Sequence, residues 1–331
     1  MGNEEQRNEE QRNKYMKAAL LQKPGLFSVE DMPIPAIGPD ELLVKTAACG
    51  ICTSEIEIYL GKLKGLDYPR FIGHEPAGVV VEVGRDVKGF AAGDHVSVWS
   101  EGKSYAEYFA TKADYAAKLR PETRFEEALG EPIACSTNGV RKADPQLNDS
   151  VCIVGCGFMG LIMLQVFRAR GVGMTIAVDM RKSIRDLALQ LGATHALDPK
   201  EVDVVQVVKD LTGGRGVDIG VEAAGTQATL DLAANVTRME GKLEVFGFHV
   251  GEPRAVPWGY WNWMAYQIIN GHVRSAQTYV EGMRIGLGLL ESGKLDMRSL
   301  VTHRFALDEI NNAFEIASAK HEGFVKGVIA F

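Results

Sequence analysis

Residues 150–170 constrain this chain more than any other stretch. An apolar run, Val151-Cys152-Ile153-Val154, leads into Gly155-Cys156-Gly157-Phe158-Met159-Gly160, after which apolar residues recur at Leu161, Leu164 and Phe167. The run predicts a buried strand, and the recurrence predicts one face of a helix. Glycines between a strand and a helix have a physical use. The first permits a tight turn, the second lets the backbone approach a ligand, and the third lets helix and strand pack closely. The free N–H groups and positive dipole end of the helix then suit a pyrophosphate.

The alternation continues. Thr175-Ile176-Ala177-Val178-Asp179 reads as a strand, 183–191 as a helix and 202–211 as another. The strand Val217–Gly225, a helix after Thr226 and the strand Lys242–Phe248 follow. Strands and helices in this order predict right-handed crossovers and a doubly wound parallel sheet of the Rossmann type, an α/β fold. Asp179 stands where an acid can hold ribose hydroxyls and repel a 2′-phosphate, so NAD is expected over NADP, a preference that nearby Arg181 softens. Gly247 and Phe248, and Ala224 in the Val-Glu-Ala-Ala-Gly stretch, are expected near the cofactor at the carboxyl ends of the strands. His249 is expected to orient or lie exposed rather than to act as a base.

Residues 16–118 differ in texture, with short β-type runs broken by Gly and Pro, which predicts a compact barrel-like β unit. A helix is expected over 125–143, ended by Asp144-Pro145. From Ala276 come two helical stretches and a closing strand, expected to fold back onto the first unit. The expected organisation is therefore a polar leader over 1–15, read as disordered, a catalytic unit over 16–132 and 276–331, and a nucleotide unit over 133–275. The formal charge of −7 and the absence of a Lys/Arg run argue against nucleic acid as partner. No apolar stretch approaches the roughly 20 residues that span a bilayer. The cysteines, Cys49, Cys52, Cys135, Cys152 and Cys156, are odd in number and scattered, which fits reduced thiols in a cytoplasmic enzyme rather than a disulfide framework.

Cys49-Gly-Ile-Cys52 lacks the second pair that a closed structural zinc site needs. Gly50-Ile51-Cys52-Thr53-Ser54-Glu55 together with Gly73-His74-Glu75 resembles the catalytic-zinc signatures of the medium-chain dehydrogenase family, in its alcohol and polyol dehydrogenase branches. The resemblance runs from Met16 to Phe331 and includes the turn Gly93-Asp94, the glycine fingerprint and the Val-Glu-Ala-Ala-Gly strand. It implies a GroES-like catalytic domain beside the Rossmann domain, with Cys52 and His74 as zinc ligands and Cys49 an apolar neighbour. A third protein ligand is implied at Glu131 of Glu131-Pro132, as in polyol-type branches, while Glu75 ligates directly or alternates with water. Three departures stand out. The stretch after the turn at Gly93 lacks the cysteines of a structural-zinc lobe, so one zinc per chain is expected. Glu55 replaces the Asp that commonly supports the ligating His. The histidine that ends the usual proton relay is absent, leaving Glu57 or solvent to take that role.

The implied chemistry is hydride transfer between NAD(H) and a secondary alcohol, polyol or sugar-like substrate and its carbonyl partner. The metal acts as Lewis acid, Ser54 passes on the hydroxyl proton, and the Rossmann domain presents the nicotinamide. Trp258, Tyr260, Trp261 and Trp263 read equally as pocket lining or as subunit interface, and Trp99 could face the same pocket. A homodimer or homotetramer is expected. The alternatives are an enzyme that keeps its NAD and oxidises only transiently (a lyase or epimerase), a zinc-free quinone or enoyl reductase, which Cys52 and His74 disfavour, and a non-catalytic nucleotide-binding protein.

Overall fold

The structure, a computed structural model, describes residues 14–331. The expected leader therefore lies outside the described residues, apart from Lys14 and from Tyr15, which opens the first strand. In chain order come β1 (Tyr15–Lys23), β2 (Leu26–Pro33), β3 (Glu41–Gly50), α1 (Thr53–Tyr59), β4 (Pro76–Val83), β5 (His95–Val98), β6 (Tyr108–Lys112), β7 (Ala116–Lys118) and α2 (Gly130–Ala143). Then follow β8 (Ser150–Val154), α3 (Phe158–Ala169), β9 (Met174–Val178), α4 (Lys182–Gln190), β10 (His195–Leu197), α5 (Val204–Leu211), β11 (Val217–Glu222), α6 (Gln227–Val236) and β12 (Thr237–Val245). The chain closes with α7 (Trp258–Trp263), β13 (Gln267–Asn270), α8 (Ala276–Glu291), β14 (Val301–Ala306), α9 (Ile310–Ala319) and β15 (Lys326–Ala330).

Two compact units result, divided after Glu131 and before Val301. In the first, a seven-stranded sheet runs β14-β15-β3-β4-β5-β7, with β6 also on β3, and β1 and β2 form a separate hairpin. Leu42, Val44, Val80, Val96 and Phe109 fill one core, while Phe27, Tyr59 and Phe314 stack in a second. The pairing that matters for chemistry is at the end of β3. Cys49 lies opposite Pro76 of β4, and Gly50 lies opposite Val328 of β15. The segments that leave β3 and enter β4 are thereby held side by side.

The second unit is built on a parallel sheet ordered β10-β9-β8-β11-β12-β13. The order reverses between β8 and β11, which opens a crevice at their carboxyl ends. Cys152, Val154, Ile176, Val178, Leu230, Leu243 and Trp261 pack on one face. Two expectations need correction. The return to the first unit comes at Val301, not at Ala276, because α8 belongs to the second unit. Tyr279, Val280, Met283 and Leu287 are buried along it, and its Thr278 carbonyl accepts from Asn138 of α2. The helix expected over 125–143 begins only at Gly130. Residues Phe125–Glu127 form a separate 3-10 turn, and Pro132, which has no N–H to donate, is tolerated in the first turn of α2.

Candidate functional site

Glu55 organises the first unit's cluster of donors. It is buried on α1 and bonds in every available direction. Its Oε1 accepts from Gly73 N at 2.7 Å and meets His74 Nδ1 at 2.7 Å, while Oε2 accepts from Tyr105 Oη at 2.5 Å. The longer carboxylate, present where the family commonly has Asp, does reach His74. With Nδ1 held, Nε2 is the ring atom left to face a metal. Cys52 Sγ, His74 and Glu75 bring one donor atom each within 4.8 Å of one another. The Ser54 hydroxyl donates to Cys52 Sγ at 3.3 Å.

Burial opposes a charged His74, yet Glu55 and Cys52 outweigh it and hold the imidazole well above its ordinary pKa. Burial likewise opposes the charge on Glu55, and the adjacent His74 charge, with bonds from His74, Tyr105 and Gly73, pulls its pKa below the usual value. Cys49 is the inert neighbour expected, since burial drives its thiol pKa well up. A cysteine sulfur, an imidazole and a carboxylate converging in this way are the donor chemistry of zinc.

Glu131, at the start of α2, is not among the three donors that converge. Its charge is one of those that favour the ammonium of Lys326. Lys326 is itself a residue the sequence reading missed. It is 4% exposed on β15, and its Nζ pairs with Glu75 Oε2 at 2.5 Å and donates to the Ile51 carbonyl at 2.9 Å. It therefore ties the residue before Cys52 to the residue after His74. Burial opposes its charge, but Glu75, Cys52 and Glu131 together raise its pKa. A lone Lys in the apolar run Phe324–Phe331 was the available signal. Tyr105 gave none. Glu57 lies one turn beyond Ser54 on α1 and pairs with Lys62 at 3.0 Å. Trp99 packs edge-on against Tyr115.

In the second unit the glycine turn sits where the sequence placed it. Gly155 has φ of 94°, which a side chain would strain. Gly157 caps α3 without any side-chain bond, so the first N–H groups of the helix are free of a side-chain cap. The Cys156 side chain is fully buried, which leaves only its backbone for the contact expected of it. Asp179 follows β9, and its carboxylate accepts from Arg181 N at 3.0 Å and Arg181 Nε at 3.3 Å. The aromatic stretch divides. Trp261 is in the core, while Trp258 and Trp263 on α7 are exposed.

Comparisons with known proteins agree with both units. Residues 38–121 match the family described as alcohol dehydrogenase GroES-like domain, and residues 159–284 match that described as zinc-binding dehydrogenase. A sorbitol dehydrogenase of Bacillus subtilis is 30% identical, over 91% of this chain and 93% of its own. The crystal structure of 2R,3R-butanediol dehydrogenase from Bacillus subtilis superposes with a TM-score of 0.84 at 25% identity, covering 96% of this chain and 99% of that one. A zinc-binding dehydrogenase from Sinorhizobium meliloti, solved with NADP, superposes with a TM-score of 0.86 at 26% identity over 96% and 99%. With a convergent thiolate, imidazole and carboxylate in one unit and a glycine-turned nucleotide edge in the other, the chain belongs to the zinc-type medium-chain dehydrogenases, oxidoreductases that work with zinc and a nicotinamide cofactor.

Proposed function

We propose that this oxidoreductase uses NAD and a single zinc ion per chain to interconvert a secondary alcohol of a polyol or related diol with its ketone. The observation that carries the reading is the convergence of Cys52, His74 and Glu75 with Nδ1 of His74 already fixed by Glu55. Cys52 and His74 hold the metal with Glu131, and Glu75 is the exchangeable partner because Lys326 competes for its carboxylate. The polyol class is supported by the names of the sorbitol and butanediol dehydrogenases to which the chain is similar.

Zinc, when bound, supplies Lewis acidity that lowers the pKa of the substrate hydroxyl. Ser54, beside the Cys52 sulfur, accepts that proton and passes on its own. Glu57, on the same face of α1, is placed to hand it to solvent. The nicotinamide, when bound, would supply the hydride acceptor for the carbon-bound hydrogen, so that alcohol and NAD+ would give ketone, NADH and a proton. NAD is favoured over NADP because the Asp179 carboxylate repels a 2′-phosphate and occupies Arg181. A single zinc is supported by the path after β5, where Ser100, Gly102 and Ser104 close a loop on their own hydrogen bonds and no cysteine intervenes.

We further propose a homodimer or homotetramer acting in the cytoplasm. The edge strand β13, with Ile268 exposed, and the exposed Trp263 support assembly. The five free cysteines support a reducing compartment, and no helix among the described residues is long and apolar enough to cross a membrane. The deciding experiment measures metal per chain alongside NAD reduction by a panel of polyols and secondary alcohols. About one zinc per chain with turnover is expected. Zinc without turnover on any member would replace net oxidation by an NAD-retaining reaction, and a protein that takes up no zinc on reconstitution would refute the site.

A further inference from the structure

Glu222 ends β11 with its carboxylate fully buried and both oxygens engaged. Oε1 accepts from the N–H groups of Ala224 at 2.8 Å and Gly225 at 2.6 Å and from the Thr229 hydroxyl at 2.7 Å. Oε2 meets His249 Nε2 at 2.7 Å. Across the imidazole, Arg254 Nε donates to His249 Nδ1 at 3.2 Å. The same guanidinium donates to the carbonyls of Gly225 at 2.9 Å, Val250 at 3.3 Å and Glu252 at 2.5 Å. A carboxylate only accepts and a guanidinium only donates, so His249 between them is the neutral imidazole with its proton on Nε2. Both ring nitrogens are used, which removes His249 as the base of the reaction.

These bonds join the turn after β11 to the loop after β12. Both leave the carboxyl ends of neighbouring strands, β11 beside β8 and β12 beside β11, on the edge at which a doubly wound sheet takes its nucleotide. The glycine turn abuts the same ensemble. A Cβ on Gly155 would lie 2.7 Å from Ala224 Cβ, and one on Gly247 would collide with Gly225 N and Glu222 Oε2. Arg254, His249 and Glu222 thus fix Ala224, Gly225 and Gly247 against the fingerprint.

We propose that Arg254 and His249 are positioning residues for the nicotinamide cofactor, acting through Glu222 as a clasp that holds only while His249 is neutral. The inference rests on the second unit binding that cofactor. A proton on Nδ1 sets an N–H against the Arg254 Nε–H, two donors face to face, and the guanidinium must release the Gly225 and Val250 carbonyls. The charged and titratable groups that face His249 are Glu222 from β11, Arg254 from its own loop and His272 from the segment after β13.

The test is NADH binding, followed by its fluorescence, from about pH 8 to about pH 5.5, the range in which a histidine charges. It compares the zinc-loaded wild type with His249→Gln, His249→Phe and Arg254→Met. A glutamine amide can donate to Glu222 and accept from Arg254 without titrating. His249→Gln is therefore expected to bind as the wild type does at the alkaline end and to lose the weakening that the wild type shows in acid. His249→Phe leaves a buried carboxylate oxygen unpartnered and is expected to bind about tenfold more weakly or worse throughout. Arg254→Met is expected to bind weakly with a flattened profile. The clasp is overturned if His249→Gln keeps the acid-side loss, or if His249→Phe binds like the wild type. Should His249→Phe not fold, the profile of His249→Gln decides alone. A wild type that binds no NADH overturns the cofactor reading itself and the clasp with it, whereas normal wild-type binding with unaltered variants overturns the clasp only.

Discussion

Glu244 lies fully buried in the sheet of the second unit, and among the described residues neither of its carboxyl oxygens has a hydrogen-bond partner. Burial pushes its pKa up to about 8, with Lys142 opposing weakly. The folded protein therefore keeps a proton that the unfolded chain releases near the ordinary glutamate value. That stabilisation is complete in acid and is lost as pH rises towards 8, at about 1.4 kcal/mol for each unit crossed. Glu244→Gln is expected to remove this slope, and melting temperatures of wild type and variant between pH 5 and 8 check it. A second residue-scale expectation concerns cofactor choice. Asp179→Ala frees Arg181 to meet a 2′-phosphate, so the kcat/KM ratio of NADP to NAD should rise tenfold or more, about 1.4 kcal/mol. An unchanged ratio would remove Asp179 from the ribose. Residues of this kind differ in how well sequence exposes them. Cys52, His74 and Asp179 sit in local motifs and could be read directly. Lys326 and Tyr105 reach their partners only through β15 and through a loop far along the chain, so nothing local announced them.

At the scale of elements, the junction of β3 with α1 shows how tightly the segments that carry Cys52 and Glu75 are packed. A Cβ on Gly50 would collide with the Glu75 carboxylate and lie 2.9 Å from both Leu129 Cδ1 and Lys326 Cε. This glycine makes room for the Glu75–Lys326 pair. Gly50→Ala should cost about 1–3 kcal/mol, as overpacking does, and should lower zinc retained on dialysis. Thermal melts with metal analysis test both, and full retention with an unchanged melt would show that the pair has slack. The strands and helices around the fingerprint were legible because each is a short apolar or periodic run bounded by Gly. The start of α2 was not, because Phe125–Glu127 already forms a turn of 3-10 helix and only Ala128-Leu129 separates it from Gly130–Ala143. The assignment of α8 to the second unit was not legible either. A helix shows its apolar face in sequence but not the partner that covers it, here including Asn138 of α2.

For the whole molecule, assembly through β13 predicts that Ile268→Lys, a charge placed on an exposed edge strand, yields a smaller particle than the wild type in sedimentation velocity. Equal mass for the two would exclude this edge. A broader consequence follows from the order in which the first unit is written along the chain. Its sheet is interrupted by the entire second unit, from Pro132 to Leu300, before β14 and β15 supply the strands that pair beside β3. During synthesis Cys52, His74 and Glu75 emerge before the second unit, but the lysine that ties Ile51 to Glu75 emerges after it. The second unit has its whole sequence available and can fold while the first still lacks two strands. The nascent chain therefore carries Cys52 and His74 in an unfinished sheet for most of its time on the ribosome. The strands that complete this sheet are therefore made only after the whole second unit.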